Sequence, residues 1–138
     1  MAPADVDLVR RIFADWERGH FSSVEWAHPE IALVIAEGLE PGSWTGVSAL
    51  MGLRDDFLGA WENMRVEADD FRELDDERVL VLTNMRGRGR ASGLELRARR
   101  GGAILFHVPD GKVTRQVNYI ERDRALADLG LASEGDAA

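Results

Sequence analysis

Few residues in this chain could move a proton, and their positions narrow the chemistry available. Glu37 closes the apolar run Ile31-Ala32-Leu33-Val34-Ile35-Ala36. A carboxylate at the end of such a run can be desolvated, which raises its pKa toward the range useful for proton abstraction. Glu is also mostly exposed in folded proteins, so the same position fits the first residue of a solvated loop. His107 is the one His inside a long strand pattern, where a neutral imidazole would suit a proton shuttle. Its nearness to Pro109 fits a surface or interface residue. The three His, at positions 20, 28 and 107, lack the i, i+4 spacing of helical metal ligands, so no zinc site is expected. The sequence has no Cys, which excludes disulfides, thiolate nucleophiles and Cys-held zinc or iron–sulfur clusters. No cofactor is implied.

Recognition is the other chemistry on offer. Gln116 and Asn118 share one face of the last strand, and two amides facing a cavity would fix a ligand carbonyl or hydroxyl. On a solvated face they would carry no such meaning. Trp16, Trp26, Trp44, Trp61, Phe57 and Phe106 fall at core spacing, with one or two expected to line a pocket as well. In Arg86-Gly87-Arg88-Gly89-Arg90, a period of two sets the glycines on one face of a strand and the arginines on the other. A net charge of −8 opposes reading that string as a nucleic-acid site, because phosphate binding draws on clustered cations.

The elements that must position these groups follow from hydrophobic spacing. Val6, Val9, Ile12, Phe13 and Trp16 mark an amphipathic helix that Gly19 ends. Ser22 to Glu25 has capping-box spacing and predicts a short helix into Trp26, stopped by Pro29. Residues 31–36 read as a strand buried on both faces, and Gly38 to Gly46 as a loop with Thr45 as N-cap of the next helix. That helix carries Val47, Leu50, Met51, Phe57, Leu58 and Trp61 and is expected from Gly46 to Asn63. Four strands follow: one through Val66 and Phe71 with a bulge near Asp69-Asp70, then Arg78 to Arg90, Leu94 to Val108 and Val113 to Ile120. The third is interrupted at Gly101-Gly102, a bend or close approach. Asp123 to Leu129 forms a last helix before Gly130.

With 138 residues, 45% hydrophobic and 30% charged, the chain fits one globular domain over residues 1–131, with 132–138 a disordered tail. No run reaches the ~18 apolar residues of a membrane span, and no basic-then-apolar leader opens the sequence, so a cytoplasmic protein without a membrane partner is expected. Helices placed before a meander of strands give an α+β class, with N-terminal helices packed on a strongly bent, mainly antiparallel sheet.

Several strings, taken in this order, resemble the SnoaL-like group of the nuclear transport factor 2 superfamily. They are Val9 to Trp16 with Gly19 and Phe21, Trp44-Thr45-Gly46, Arg86 to Gly93, Asp110 to Val113, and Tyr119 to Arg122 running into Ala125-Leu126. The resemblance covers about Val6 to Leu131. It implies a cone-shaped fold with an apolar pocket between helices and concave sheet, and dimers paired through the convex sheet face. Ketosteroid isomerases and polyketide cyclases belong to the same superfamily, but the motifs carried here are structural rather than catalytic.

Tested against those relatives, the catalytic roles are not matched. In approximate register the isomerase Tyr falls on Ile12, the carboxylate base on Ile35 and the protonated Asp on Ala103 or Ile104. The Asp–Arg–Asp arrangement of epoxide hydrolases is absent, with Arg97 or Arg99 as stand-ins and Gln116 and Asn118 where an Asp would help. No Asp lies in a buried strand segment for a cyclase. Glu37, two residues past Ile35, shares its face and is the candidate acid/base. The leading expectation is a domain that binds a small, largely apolar or polycyclic ligand with Trp16, Trp44, Phe57, Phe106, Gln116 and Asn118. The alternatives are an isomerase-like or cyclase-like enzyme using Glu37, and a non-catalytic dimeric scaffold. A homodimer through the convex face is expected because Val79 to Leu82 is apolar on both faces.

Overall fold

Val9, Ile12, Phe13 and Trp16 form the buried face of the first helix, α1 (Val6–Glu17), with Asp7 in its first turn where the helix dipole favours a negative charge. Gly19 follows at φ +79°, as a C-terminal glycine should. The computed structural model describes residues 6–21, 24–36, 42–59, 61–89, 95–97, 102–109 and 111–131, with the side chains of Phe57 and of 95–97 outside that description.

The strands are β1 (Ala27–Ile35), β2 (Gly42–Thr45), β3 (Trp61–Glu73), β4 (Arg78–Gly89), β5 (Glu95–Arg97), β6 (Ala103–His107) and β7 (Val113–Tyr119). Helix α2 (Val47–Gly59) precedes β3, and α3 (Arg122–Asp128) follows β7. All seven strands join one sheet in the order β2-β1-β7-β6-β4-β3, with β5 pairing the far half of β4. The β1–β7 pair is parallel and every other pair antiparallel. This is the mainly antiparallel α+β arrangement expected.

Four local expectations are corrected. The helix predicted from Ser22 does not extend through Trp26, which lies in a turn, and Ala27 already begins β1; Ser22 and Ser23 lie outside the described residues. Pro29 is therefore inside a strand. The β1–β7 register shifts between Ala27 and Ala32, so the missing proline N–H falls where the ladder is already broken. Within the segment predicted as loop, Gly42–Thr45 pairs with Ala32–Ile35 as an edge strand. Gly46, at φ +100°, rather than Thr45, then opens α2, and its carbonyl accepts from the Leu50 N–H at 3.1 Å. The helix ends at Gly59, and Trp61 pairs with Gly89 as the first residue of β3, so sheet pairing overrides its helical spacing.

The bulge predicted near Asp69 is present: Ala68 pairs with Thr83 and Asp70 with Leu82, leaving Asp69 as the extra residue. Gly102 is a close approach, because a Cβ there would overlap the Tyr119 carbonyl oxygen.

β4 explains how the sheet is covered on both faces. Val79 and Val81 point into the main core with Phe13, Phe106 and Ile31, while Leu80 and Leu82 point into a second core with Ala125 and Leu126 of α3. The second apolar face behind the dimer expectation is thus covered by α3 of the same chain. A Schellman motif closes that helix: Leu131 N–H donates to Leu126 O at 2.8 Å and Gly130 N–H to Ala127 O at 3.1 Å, with Leu126 and Leu131 in the same cluster. No helix among the described residues is long and apolar enough to cross a membrane.

Candidate functional site

The concave face of the sheet and the helices α1 and α2 enclose a cavity of about 400 Å³, within the range of small-molecule sites. Trp16, Phe21 and Trp26 form an aromatic end. Trp16 stacks on Phe21 at 6.1 Å and meets Trp26 edge-on at 6.1 Å. Leu33 and Ile35, alternate residues of β1, supply one wall, and Leu50, Leu53 and Leu58 of α2 the opposite one. Ile120, 57% exposed, borders the space.

Besides the hydroxyl residues Thr83 and Tyr119, two polar features interrupt this apolar lining. On β7, Gln116 sits between Leu33 of β1 and Phe106 of β6 and is 4% exposed. Its Nε2 donates to Asn118 Oδ1 at 2.9 Å, whereas its Oε1 is buried without a hydrogen-bond partner among the described residues. A lone buried carbonyl of this kind costs roughly 1–3 kcal/mol. The pair therefore puts two neutral amides at the cavity wall, with the Gln116 oxygen buried behind it, a polar spot suited to a hydroxyl once the Gln116 amide turns.

The second feature is Arg54 on α2. It shares a stripe with Leu50, Leu53 and Leu58, lines the cavity and has a side chain 17% exposed. Its Nη1 donates to the Phe21 carbonyl, and the carboxylate of exposed Asp55 lies 3.9 Å from its Nε. Sequence reasoning missed Arg54, although a charge at i+4 from Leu50 on an apolar stripe is a legible signal.

The sequence-derived candidates divide. Trp16, Gln116 and Asn118 line the cavity. Phe106 does not: it is fully buried in the core, 5.9 Å from Phe13 and 6.5 Å from Trp16, and supports Trp16 from behind. Trp44 is also absent from the wall, because it sits on the edge strand with its indole over Gly42. Glu37 and the side chain of Phe57 lie outside the described residues. Of the positions matched to isomerase roles, Ile35 and Ile104 line the cavity, Ile12 lies in the main core and Ala103 in the second.

His107 is elsewhere, at the end of β6 between Arg78 and Arg115 in register. Burial first, and then these two guanidiniums, hold its pKa below the ordinary 6.5. Tyr119 contributes to the cavity lining while packing with the α3-side core. Its burial, reinforced by Asp128, raises its pKa and keeps the phenol neutral. Among the described residues no carboxylate or imidazole lines the cavity, and no group of three or more His, Asp or Glu is placed to hold a metal.

Comparison with solved structures decides the architecture. A candidate SnoaL-like polyketide cyclase from Jannaschia sp. CCS1 superposes with a TM-score of 0.72 at 13% identity, covering 93% of this chain and 92% of that one. The chain has the fold of the SnoaL-like, nuclear transport factor 2-like proteins. An NTF2-like protein of unknown function from Burkholderia pseudomallei K96243 gives a TM-score of 0.71 at 15% identity, covering 88% and 93% of the two chains. A protein with a ketosteroid isomerase-like fold from Catenulispora acidiphila DSM 44928, solved with trimethylamine, gives 0.68 at 15% identity, covering 92% and 95%. At these identities the likeness is one of fold. No family model and no curated protein matches the sequence.

Proposed function

We propose that this chain is a SnoaL-like small-molecule-binding domain, holding a compact, largely apolar ligand in the cone with one polar group on Gln116 and Asn118. The observation that carries this reading is the buried Gln116 Oε1, without a hydrogen-bond partner among the described residues, in the wall of a mainly apolar cavity. Natural cores rarely leave such an atom without a partner, and a turn of the Gln116 amide would bring it to a ligand hydroxyl. Binding is favoured over turnover because the described wall holds no carboxylate or imidazole. Developing negative charge would fall to amide or indole donors, weaker than the acidic donors of the isomerases.

The test is titration calorimetry with 2-naphthol and naphthalene-sized hydrocarbons lacking the hydroxyl. The hydroxyl compound is expected to bind more tightly, and Gln116→Leu to erase the difference. Equal binding of both by the unmodified protein would remove Gln116 from the reading. Glu37→Gln is expected to leave binding in place. Turnover of a ketosteroid that disappears in Glu37→Gln would favour the acid/base enzyme instead.

A further inference from the structure

We infer that the cavity selects ligands bearing a single carboxylate, seated on Arg54, with the apolar body of the acid against the aromatic end formed by Trp16, Phe21 and Trp26. This rests on the reading that the cavity binds a small apolar molecule, and it names the chemical class. Arg54 is the cationic member of the described lining, on a helix face otherwise made of Leu50, Leu53 and Leu58. A guanidinium held in such surroundings is stabilised by an anion, and its planar fork pairs with a carboxylate through two parallel hydrogen bonds.

Among the described residues, the partners of Arg54 leave that fork largely unused. One Nη1 hydrogen is committed to the Phe21 carbonyl, which fixes the side chain against the cavity wall. Asp55 is an exposed carboxylate at 3.9 Å from Nε, a distance and exposure at which an ion pair contributes little. The Nη2 edge therefore keeps its donors for a ligand. The Gln116–Asn118 pair is neutral and its buried oxygen is an acceptor, so the charged guanidinium holds a carboxylate more strongly than the amides do. The two polar features are thus complementary in sign: Arg54 takes the carboxylate, and the amide pair accepts or donates to a neutral group farther along the same molecule.

Matched ligands separate this inference from the reading beneath it. Titration calorimetry at pH 7.5 compares 4-phenylbutyrate with 4-phenylbutan-1-ol, which share their apolar body. The acid is expected to bind about tenfold more tightly, the scale of one charge-assisted pair in a partly desolvated site. Arg54→Gln should remove the acid's advantage over the alcohol measured on the same variant, and Arg54→Lys should give an intermediate advantage, since it keeps the charge but loses the fork. Equal or tighter binding of the alcohol by the unmodified protein overturns the carboxylate inference and leaves the cavity reading intact. A preference for the acid that survives in Arg54→Gln also overturns it. Binding of neither compound overturns both. If Arg54→Gln fails to fold, the comparison on the unmodified protein and Arg54→Lys decides the matter.

Discussion

Arg122 on α3 donates from Nη2 to Asp69 Oδ2 at 2.9 Å, across 53 residues of chain. The same Nη2 donates to the Thr83 carbonyl at 3.1 Å, and the Asn84 amide donates to the same Asp69 oxygen. Asp69 is available for this role because it is the extra residue of the β3 bulge. The bulge turns a carboxylate toward the helix that covers the back of the sheet.

Asp69→Ala should therefore destabilise the protein by about 1–3 kcal/mol, the cost of leaving a buried cation short of a partner. Urea denaturation gives the midpoint. A shift no larger than that of an exposed Asp replaced by Ala, such as Asp56→Ala, would show the clamp to be decorative.

Gly102→Ala should be disruptive although it adds a single methyl group. The new Cβ would collide with the Tyr119 backbone carbonyl, and backbone cannot swing aside as a flexible side chain would. A loss of about 1–3 kcal/mol or more is expected, read as a fall in thermal midpoint. Gly111→Ala, at φ +79° with open space around it, should cost only the backbone strain of about 1 kcal/mol.

Gln116→Leu should separate stability from binding. It removes the unpartnered oxygen at similar volume, so stability should stay level or rise by up to about 1 kcal/mol. Affinity for hydroxyl-bearing ligands should fall at the same time. A variant that both unfolds more easily and binds less would mean that the amide is structural.

The pH dependence of stability should carry the signature of His107. Above pH 6.5 the imidazole is neutral in both folded and unfolded chains. As pH falls through 6.5 toward the depressed folded value, the unfolded chain takes up a proton that the folded imidazole resists, so stability declines. The Asp75 carboxyl, held low chiefly by the Glu77 N–H and then by Arg78, acts in the same direction only below its ordinary value of 3.8. Thermal midpoints between pH 7.5 and 5.5 therefore isolate the histidine. His107→Gln should flatten that interval, and an unchanged slope would refute the assignment.

Much of the fold is legible where one periodicity acts alone. The α1 stripe, the two-faced apolar stretch Val79 to Leu82 and the bulge at Asp69 follow directly from spacing. The edge strand Gly42–Thr45 is hidden because its conformation comes from pairing with β1, and its Gly-rich composition argues for a loop. Trp61 is ambiguous because helical spacing from Leu58 and strand pairing with Gly89 compete, and the long-range pairing prevails. At the site, period two places Gln116 and Asn118 on the cavity face. Phe106 and Trp44 could not be sorted from sequence, since a core aromatic and a cavity aromatic carry the same pattern. Arg54 escaped notice because charge on a helix is ordinarily read as solvated.

The place of β7 in the sheet also sets the order of events as the chain is made. It lies between the β1–β2 pair on one side and the β6-β4-β3 group on the other. Until β7 is in place no strand pairing joins these two groups, and β1 keeps one edge open. Local hairpins among the middle strands can form early, whereas the parallel union of β1 with β7 must wait for nearly the whole chain, a slow, high-contact-order step. Docking of Val113–Tyr119 is thus the step that joins the two groups and brings Gln116, Asn118 and Tyr119 to the cavity wall.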